Sequence, residues 1–390
     1  MSRPATTRRH LSGALAALLA VVAVAPATPA PAALTKSERA LQNRLDALVR
    51  IDGGPPGASV LLSRGRHEKF LRAGVADLGT GAPFRRRMRM RVASVSKAFS
   101  GAVALALVDR GRLRLDDTIG ERLPELPTAW AQVTLREMLG HTGGLPSYTK
   151  NQDFLDRFVA GPRTPITKPE IIDFIAAEPL DFPAGTRYEY SNTDNIVIAM
   201  MAEAATGTGY ARLLHRLVTG PLGLGSTELP GGSRLPPPRI NGYETLPAVE
   251  DLTRCCAMSY LSASGGIYST PAELTRFIRA YVGGELFGRA QRRAQLAFHR
   301  GAGSEPPGPG EQSGGLAVFR YRTRCGPVFG HSGNFLGYTQ FAVATRNGRR
   351  ALTFTVNRQL APDAPGELAP QAFRTLRRDY GHAVCTLLDR

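Results

Sequence analysis

Ser94-Val95-Ser96-Lys97-Ala98-Phe99, continuing through Ser100-Gly101-Ala102-Val103-Ala104-Leu105-Ala106-Leu107-Val108-Asp109, is the stretch on which the reading turns. Phe99, Ala102, Val103, Ala106 and Leu107 recur at helical spacing, and Gly111 supplies a stop, so 94–109 predicts a long apolar helix. Three residues apart at its start, Ser94 and Lys97 share one face. A helix N-terminus favours negative charge on the Ser94 oxygen and disfavours a proton on the lysine, and burial pushes the lysine the same way. A hydroxyl beside such a base becomes a nucleophile near neutral pH. The chain has five lysines, at 36, 69, 97, 150 and 168, and the apolar neighbours Val95, Ala98 and Phe99 argue against a merely solvated Lys97.

Outward from that helix, strand signals lie at both ends of the chain. Gly57 to Val75 reads as a hairpin turning at Ser63-Arg64-Gly65-Arg66. Val328 to Gly330 and Gly337 to Thr345 read as strands, and Arg346-Asn347-Gly348-Arg349 turns the latter into Leu352 to Val356. A short leader helix spans about 36–50. Residues 112–254 are helical patches, such as Thr134 to Leu139 and Ile196 to Ala205, separated by Pro/Gly turns. The pattern predicts an α/β (α+β) protein. Residues 33–111 and 255–390 would share an antiparallel sheet flanked by helices, 112–254 would form an inserted, mostly helical subdomain, and the active site would lie between them. Glu305 to Gly315, rich in Pro and Gly, reads as a mobile surface loop.

Two further groups of residues can work with the first. In Tyr190-Ser191-Asn192 the phenol can relay protons if nearby cations lower its pKa, while Asn192 can accept from Lys97 and donate to a substrate carbonyl. In His331-Ser332-Gly333-Asn334, the first two can meet an anionic substrate group and Gly333 lets a substrate backbone approach the strand edge. The backbone N–H groups of Ser94 and Asn334 can cradle an oxyanion.

Ser-x-x-Lys, Tyr-x-Asn and His-Ser-Gly in this order resemble the motif set of the penicillin-recognising serine enzymes, the D-alanyl-D-alanine carboxypeptidase and class C β-lactamase family. Phe84 to Lys97, Leu113-Arg114-Leu115-Asp116-Asp117, Thr134 to Pro146, Gly265 to Thr270 and Gly330 to Tyr338 resemble it too, so the likeness runs from about Asp52 to Cys385. Within the family the chain is most similar to secreted actinobacterial carboxypeptidases. The resemblance implies a β-lactamase/transpeptidase-like fold and an acyl-enzyme on Ser94, with Lys97 and Tyr190 managing protons. It further implies that Asn192 and His331 to Asn334 bind the substrate, that D-alanyl-D-alanine stem peptides of peptidoglycan are substrates, and that β-lactams are inhibitors or substrates. His331 stands where the β-lactamase branch usually has lysine, which tilts the expectation toward carboxypeptidase or esterase activity. Arg320 or Arg322 is a candidate partner for a substrate carboxylate, and His141 reads as a packing residue. A disulfide between Cys325 and Cys385 is implied by the resemblance, whereas adjacent Cys255 and Cys256 read as free thiols. A muropeptide-binding protein without catalysis is the alternative of another class; it leaves the retention of Ser94, Lys97, Tyr190 and Asn192 unexplained.

Residues 1–32 read as a signal peptide. Arg3, Arg8 and Arg9 precede an Ala/Leu/Val run from about Leu11 to Ala25, followed by the cleavage candidates Ala25-Pro26-Ala27 and Ala30-Pro31-Ala32. The run is short for a membrane span, so a secreted or cell-wall-associated protein without a stable transmembrane anchor is expected. Removing those three arginines takes the +17 net charge to +14, which suits an anionic surface such as a wall polymer or lipid headgroups, although arginines spread along the chain read first as a matter of composition. Nucleic acid is not expected as a partner, because the arginines are dispersed and no recognition motif accompanies them. No Cys/His spacing fits a metal site, and neither metal nor cofactor is called for.

Overall fold

Thr35 opens the folded chain by capping α1 (Lys36–Leu48) in a reciprocal pair with Glu38. The computed structural model describes residues 33–363 and 367–389, together with Met1, Ser2 and Ala5. The expected signal segment therefore lies almost wholly outside the described residues.

Among the described residues twelve strands follow in chain order: β1 (Gly57–Arg64), β2 (His67–Gly74), β3 (Met90–Arg91), β4 (Tyr243–Glu244), β5 (Glu250–Asp251), β6 (Tyr268–Ser269), β7 (His299–Arg300), β8 (Glu311–Gly314), β9 (Phe319–Thr323), β10 (Gly326–Phe335), β11 (Tyr338–Ala344) and β12 (Arg350–Val356). Eight of them form one sheet in the order β2-β1-β12-β11-β10-β9-β8-β7, with every neighbouring pair antiparallel. The two ends of the chain meet at β1 and β12, where Ala58 pairs with Val356 and Arg64 with Arg350. Both strands are buried along nearly their whole length, because helices cover the two sheet faces. The longer helices are α2 (Ser96–Asp109), α3 (Thr193–Thr206), α4 (Pro271–Gly283) and α5 (Leu368–Leu388). α1 and α5 pack together on the sheet, α4 packs on β11 and β12, and α2 lies against α3. Thr35 to Arg390 form one compact unit. Among the described residues no helix is long and apolar enough to cross a membrane.

Two expectations about local structure change. The helix expected from Ser94 begins as a 3-10 turn over Ala93–Val95 and becomes α-helical at Ser96. The segment expected to be a mobile loop is tied down. Its end is strand β8, and Ser304 holds Pro306 and Gln312 through its hydroxyl at 3.1 and 3.0 Å. The Tyr321 hydroxyl reaches Ser304, the Tyr188 hydroxyl donates to the Gly303 carbonyl, and Arg377 donates to the Gly308 carbonyl. Proline and glycine richness marks irregular backbone here, not loose backbone.

Cys325 and Cys385 form a disulfide that ties the β9–β10 turn to α5 across a sequence separation of 60 residues. Cys255 and Cys256 are unbonded thiols. Closing a loop of that length constrains the unfolded chain, so Cys325→Ser/Cys385→Ser should lose about 2–4 kcal/mol in urea unfolding. Native-state hydrolysis should persist; an unchanged unfolding midpoint would refute the bracing role.

Candidate active site

Strand β3 leads to Ser94 through a short, strained turn. The Val92 N–H bonds the Ile267 carbonyl at 3.0 Å, and Gln340 Nε2 donates to the Arg91 carbonyl at 3.0 Å. Ala93 then adopts φ +50°, a left-handed conformation uncommon for a residue with a Cβ, and the chain enters the turn that carries Ser94.

Lys97, one turn further on, has no exposed surface. Its Nζ lies 2.7 Å from Asn192 Oδ1, 2.9 Å from the Ser264 carbonyl oxygen and 3.3 Å from Ser94 Oγ. Burial drives its pKa down from 10.5 to about 7, against the smaller opposing pull of Glu305 and Asp194. A neutral amine has two N–H bonds and one lone pair. Asn192 and Ser264 take the two hydrogens, which leaves the lone pair for the Ser94 hydroxyl proton.

Tyr190 is buried beside this pair. Lys97 Nζ sits 4.8 Å from its ring centre, and among the described residues its hydroxyl has no partner within hydrogen-bond geometry. Burial raises the phenol well above its usual pKa, although the nearby Ser94 hydroxyl pulls the other way. The lowering by cations expected from sequence does not occur, and Tyr190 stands as a neutral phenol. Its ring rests 4.6 Å from that of His141, whose Nδ1 contacts Asp194 Oδ2 at 2.6 Å. Burial lowers the His141 pKa and raises that of Asp194, so this buried pair holds a proton without net charge. As expected, His141 is a packing residue: it fastens the 141–146 segment under the Tyr190 turn.

Asn192 differs in one detail. Its Oδ1 accepts from Lys97 as expected, while its Nδ2 donates to Thr149 Oγ1 at 2.9 Å. Thr149 was not singled out in the sequence, and neither was the Ser264 carbonyl.

The third motif is corrected more strongly. His331 is fully buried, its Nδ1 sits 2.5 Å from the Ser332 carbonyl oxygen, and its Nε2 is unpartnered. Burial takes its pKa down to about 3, so it is a neutral ring and offers no charge to an anionic substrate. Ser332 is buried too, and its hydroxyl donates to the Pro306 carbonyl at 2.5 Å. Gly333 serves a closer neighbour than substrate. A Cβ there would stand 2.6 Å from the Val92 carbonyl oxygen and 3.0 Å from the Ser94 nitrogen, so its bare Cα lets β10 lie against the nucleophile turn. β9 pairs with β10 only as far as Gly330, which leaves the stretch from His331 to Asn334 without a strand partner on that edge. Asn334 bonds inward, accepting from Thr339 Oγ1 at 2.7 Å and donating to the Leu360 carbonyl at 3.0 Å.

Ser94, Asn192, Thr149 and Asn334 open onto a cleft of about 390 Å³, walled by Phe154, Phe158, Tyr260, Leu261 and Phe335. No charged side chain lines it. Neither arginine proposed for a substrate carboxylate reaches it: Arg320 donates to Ser313 Oγ at 2.9 Å and lies over the Phe298 ring, and Arg322 lines a separate surface groove. Glu305, on the tied loop, is one of the carboxylates whose charge acts on Lys97, Lys150 and Tyr190.

A serine beside a buried lysine, a buried phenol and a strand edge, set between an antiparallel sheet and helices, defines a serine hydrolase of the penicillin-binding and β-lactamase type. Residues 37–376 match the Beta-lactamase family, and the chain belongs to it. It is 25% identical over 310 residues to penicillin-binding protein 4* of Bacillus subtilis, covering 75% of this chain and 65% of that protein. A D-aminopeptidase of Cereibacter sphaeroides is 28% identical over 213 residues, 54% of this chain and 40% of the relative. The chain thus spans 40–65% of the length of these relatives. Among solved structures, a D-stereospecific amidohydrolase from Streptomyces sp. aligns with TM-score 0.75 at 27% identity, covering 87% of this chain and 98% of that one. The family acts on peptide and amide bonds.

Two outcomes follow from the geometry. Lys97 must lose its proton to act as base, so acylation by an activated ester should rise with pH and level off above about 7. Lys97→Arg, whose guanidinium keeps its proton, should be at least about 100-fold slower. A flat profile in stopped-flow measurements would contradict the lysine's role. Gly333→Ala forces backbone apart beside Ser94 and should cost about 1–3 kcal/mol of stability together with at least tenfold of rate; wild-type rate and melting temperature in that variant would show the contact is not limiting.

Proposed function

We propose that this protein is an exported hydrolase that cleaves amide bonds on the carbonyl side of a D-residue through an acyl-enzyme on Ser94. The observation that carries the proposal is the buried Lys97 amine, whose Nζ lies within hydrogen-bond reach of Asn192 Oδ1, the Ser264 carbonyl and Ser94 Oγ, so that in its neutral form two acceptors take its hydrogens and its lone pair can receive the serine proton. In acylation Ser94 Oγ bonds to the substrate carbonyl carbon and its proton passes to Lys97 Nζ. The backbone N–H groups of Ser94 and Asn334 receive the negative oxygen. Collapse of this intermediate breaks the C–N bond as the leaving nitrogen takes a proton, with the Tyr190 phenol at hand to relay it. Water then attacks the ester, giving up its proton to the same lysine and phenol, and frees Ser94.

The sequence motifs favour the D-alanyl-D-alanine bond of peptidoglycan stem peptides, with β-lactams acylating the same serine. A second reading, a D-aminoacyl amide or peptide with a free amino group, is favoured by the uncharged cleft and by Glu305. A terminal carboxylate finds no guanidinium among the described residues lining the cleft, whereas Glu305, close enough for its charge to act on Lys97, favours an ammonium over an anion. The names of the D-aminopeptidase and the D-stereospecific amidohydrolase among the similar proteins fit this reading.

Brief exposure to benzylpenicillin should add one inhibitor mass to the wild type and none to Ser94→Ala, which should also lose at least about 10³-fold in kcat/KM. Equal activity in Ser94→Ala would reject the acyl-enzyme. Release of D-alanine from an N-acylated D-Ala-D-Ala peptide supports the first substrate. Faster cleavage of D-alanine p-nitroanilide, with KM raised by Glu305→Gln for that substrate and not for its N-acetyl form, selects the second.

A further inference from the structure

A cluster of positive charge lies away from the candidate catalytic cleft. A groove of about 750 Å³ runs between α5 and the β9–β10 turn, lined by Arg322, Arg324, Arg374, Arg377, Arg378 and His382. All five arginines are exposed. Arg374, Arg377 and Arg378 are three and four residues apart, so they project from one face of α5, where like charges at that spacing repel. None of the five forms an ion pair among the described residues, and no carboxylate lines the groove. The acid within this stretch of α5, Asp379, is turned inward onto Arg44, and Glu311, the cross-strand neighbour of Arg322, makes no ion pair with it. Arg377 alone is anchored to backbone, at the Gly308 and Gly310 carbonyls, and Arg378 donates to Thr375 Oγ1. His382 is held below its usual pKa by burial and then by the charges of Arg44 and Arg324.

We propose that this groove binds a linear phosphodiester polyanion, which would hold the enzyme on an anionic wall polymer independently of the chemistry at Ser94. Guanidinium forks match phosphate oxygens in pairs, and the positive cluster is uncompensated until such a ligand arrives. The walls are rigid relative to one another, because the Cys325–Cys385 disulfide joins the turn carrying Arg324 to the helix carrying Arg374 and Arg378. The concave shape suits an extended chain more than a flat bilayer. The groove also lacks the exposed large apolar side chains that would enter a lipid surface. Gly381 lines it, and a Cβ built there meets nothing within 4 Å, so the groove stays open at mid-helix where alanine would make the stronger helix.

The test is equilibrium binding of the protein to poly(glycerol phosphate) at low and physiological salt. Arg374→Glu/Arg378→Glu should weaken binding about tenfold or more, and Gly381→Glu, which places a carboxylate in the groove without removing any contact, should weaken it as well. Arg212→Glu/Arg216→Glu, with the same charge change on another exposed surface, should stay within about twofold of wild type. Hydrolysis of an activated ester should be unaltered in all three. Absence of binding by the wild type, or equal loss in the control variant, overturns the site. Tighter binding to phosphatidylglycerol vesicles, lost through the same groove variants, replaces the polymer with a membrane.

Discussion

A lysine amine with no exposure to water is the constraint around which the rest of the molecule is arranged. Moving its pKa from 10.5 to about 7 means that the buried site disfavours the charged form by about 5 kcal/mol. No carboxylate among the described residues contacts Nζ to offset this. Its partners are an amide oxygen, a backbone carbonyl and the Ser94 hydroxyl. Those partners come from the turn before α3, the segment before β6 and the turn before α2, so three distant stretches of chain must converge for the amine to be satisfied in its neutral state.

That convergence explains features that look unrelated when taken one at a time. α2 is buried on almost every residue from Ser96 to Leu107, which fixes the position of Lys97 without help from solvent. The strained Ala93 directs the chain from β3 into the Ser94 turn, and the bonds of Val92 and Arg91 to Ile267 and Gln340 hold that conformation in place. Gly333 then lets the unpaired edge of β10 lie against the same turn. Ser94, Lys97 and the β10 edge are thus held close together by backbone contacts and by the side chains of Gln340 and Asn192.

Much of this was legible in the sequence, and what was missed has a common cause. Ser94, Lys97, Tyr190 and Asn192 could be read because a three-residue helical spacing and a short polar triplet are properties of local chain. The chain ends could be assigned to one sheet because their alternating or continuous apolar runs and the Asn347-Gly348 turn signal strands. The Ser264 carbonyl could not be read, since any residue carries one. Burial was equally hidden: His331 reads as a half-charged imidazole until β10 places it inside, and Tyr190 reads as a phenol near a cation until desolvation is seen to dominate. The Pro/Gly-rich loop shows composition without showing that Ser304, Pro306 and Gly308 are each spoken for.

That loop has the largest consequence for specificity. By accepting the Ser332 hydrogen bond at Pro306, it occupies the donor that a substrate anion would otherwise use, while the buried, neutral His331 contributes no charge. The cleft is left with aromatic and aliphatic walls and uncharged polar side chains, among them those of Ser94, Thr149, Asn192, Asn334 and Gln359. Selection in such a cleft proceeds by shape and apolar contact at the acyl side, where one methylene is worth about 1–3 kcal/mol. Charge reaches Lys97 without a bond to it from Asp194 and, more strongly, from the carboxylate of Glu305. Because that carboxylate raises the lysine pKa and disfavours an approaching anion together, the same residue couples the strength of the base to the sign of charge the cleft admits.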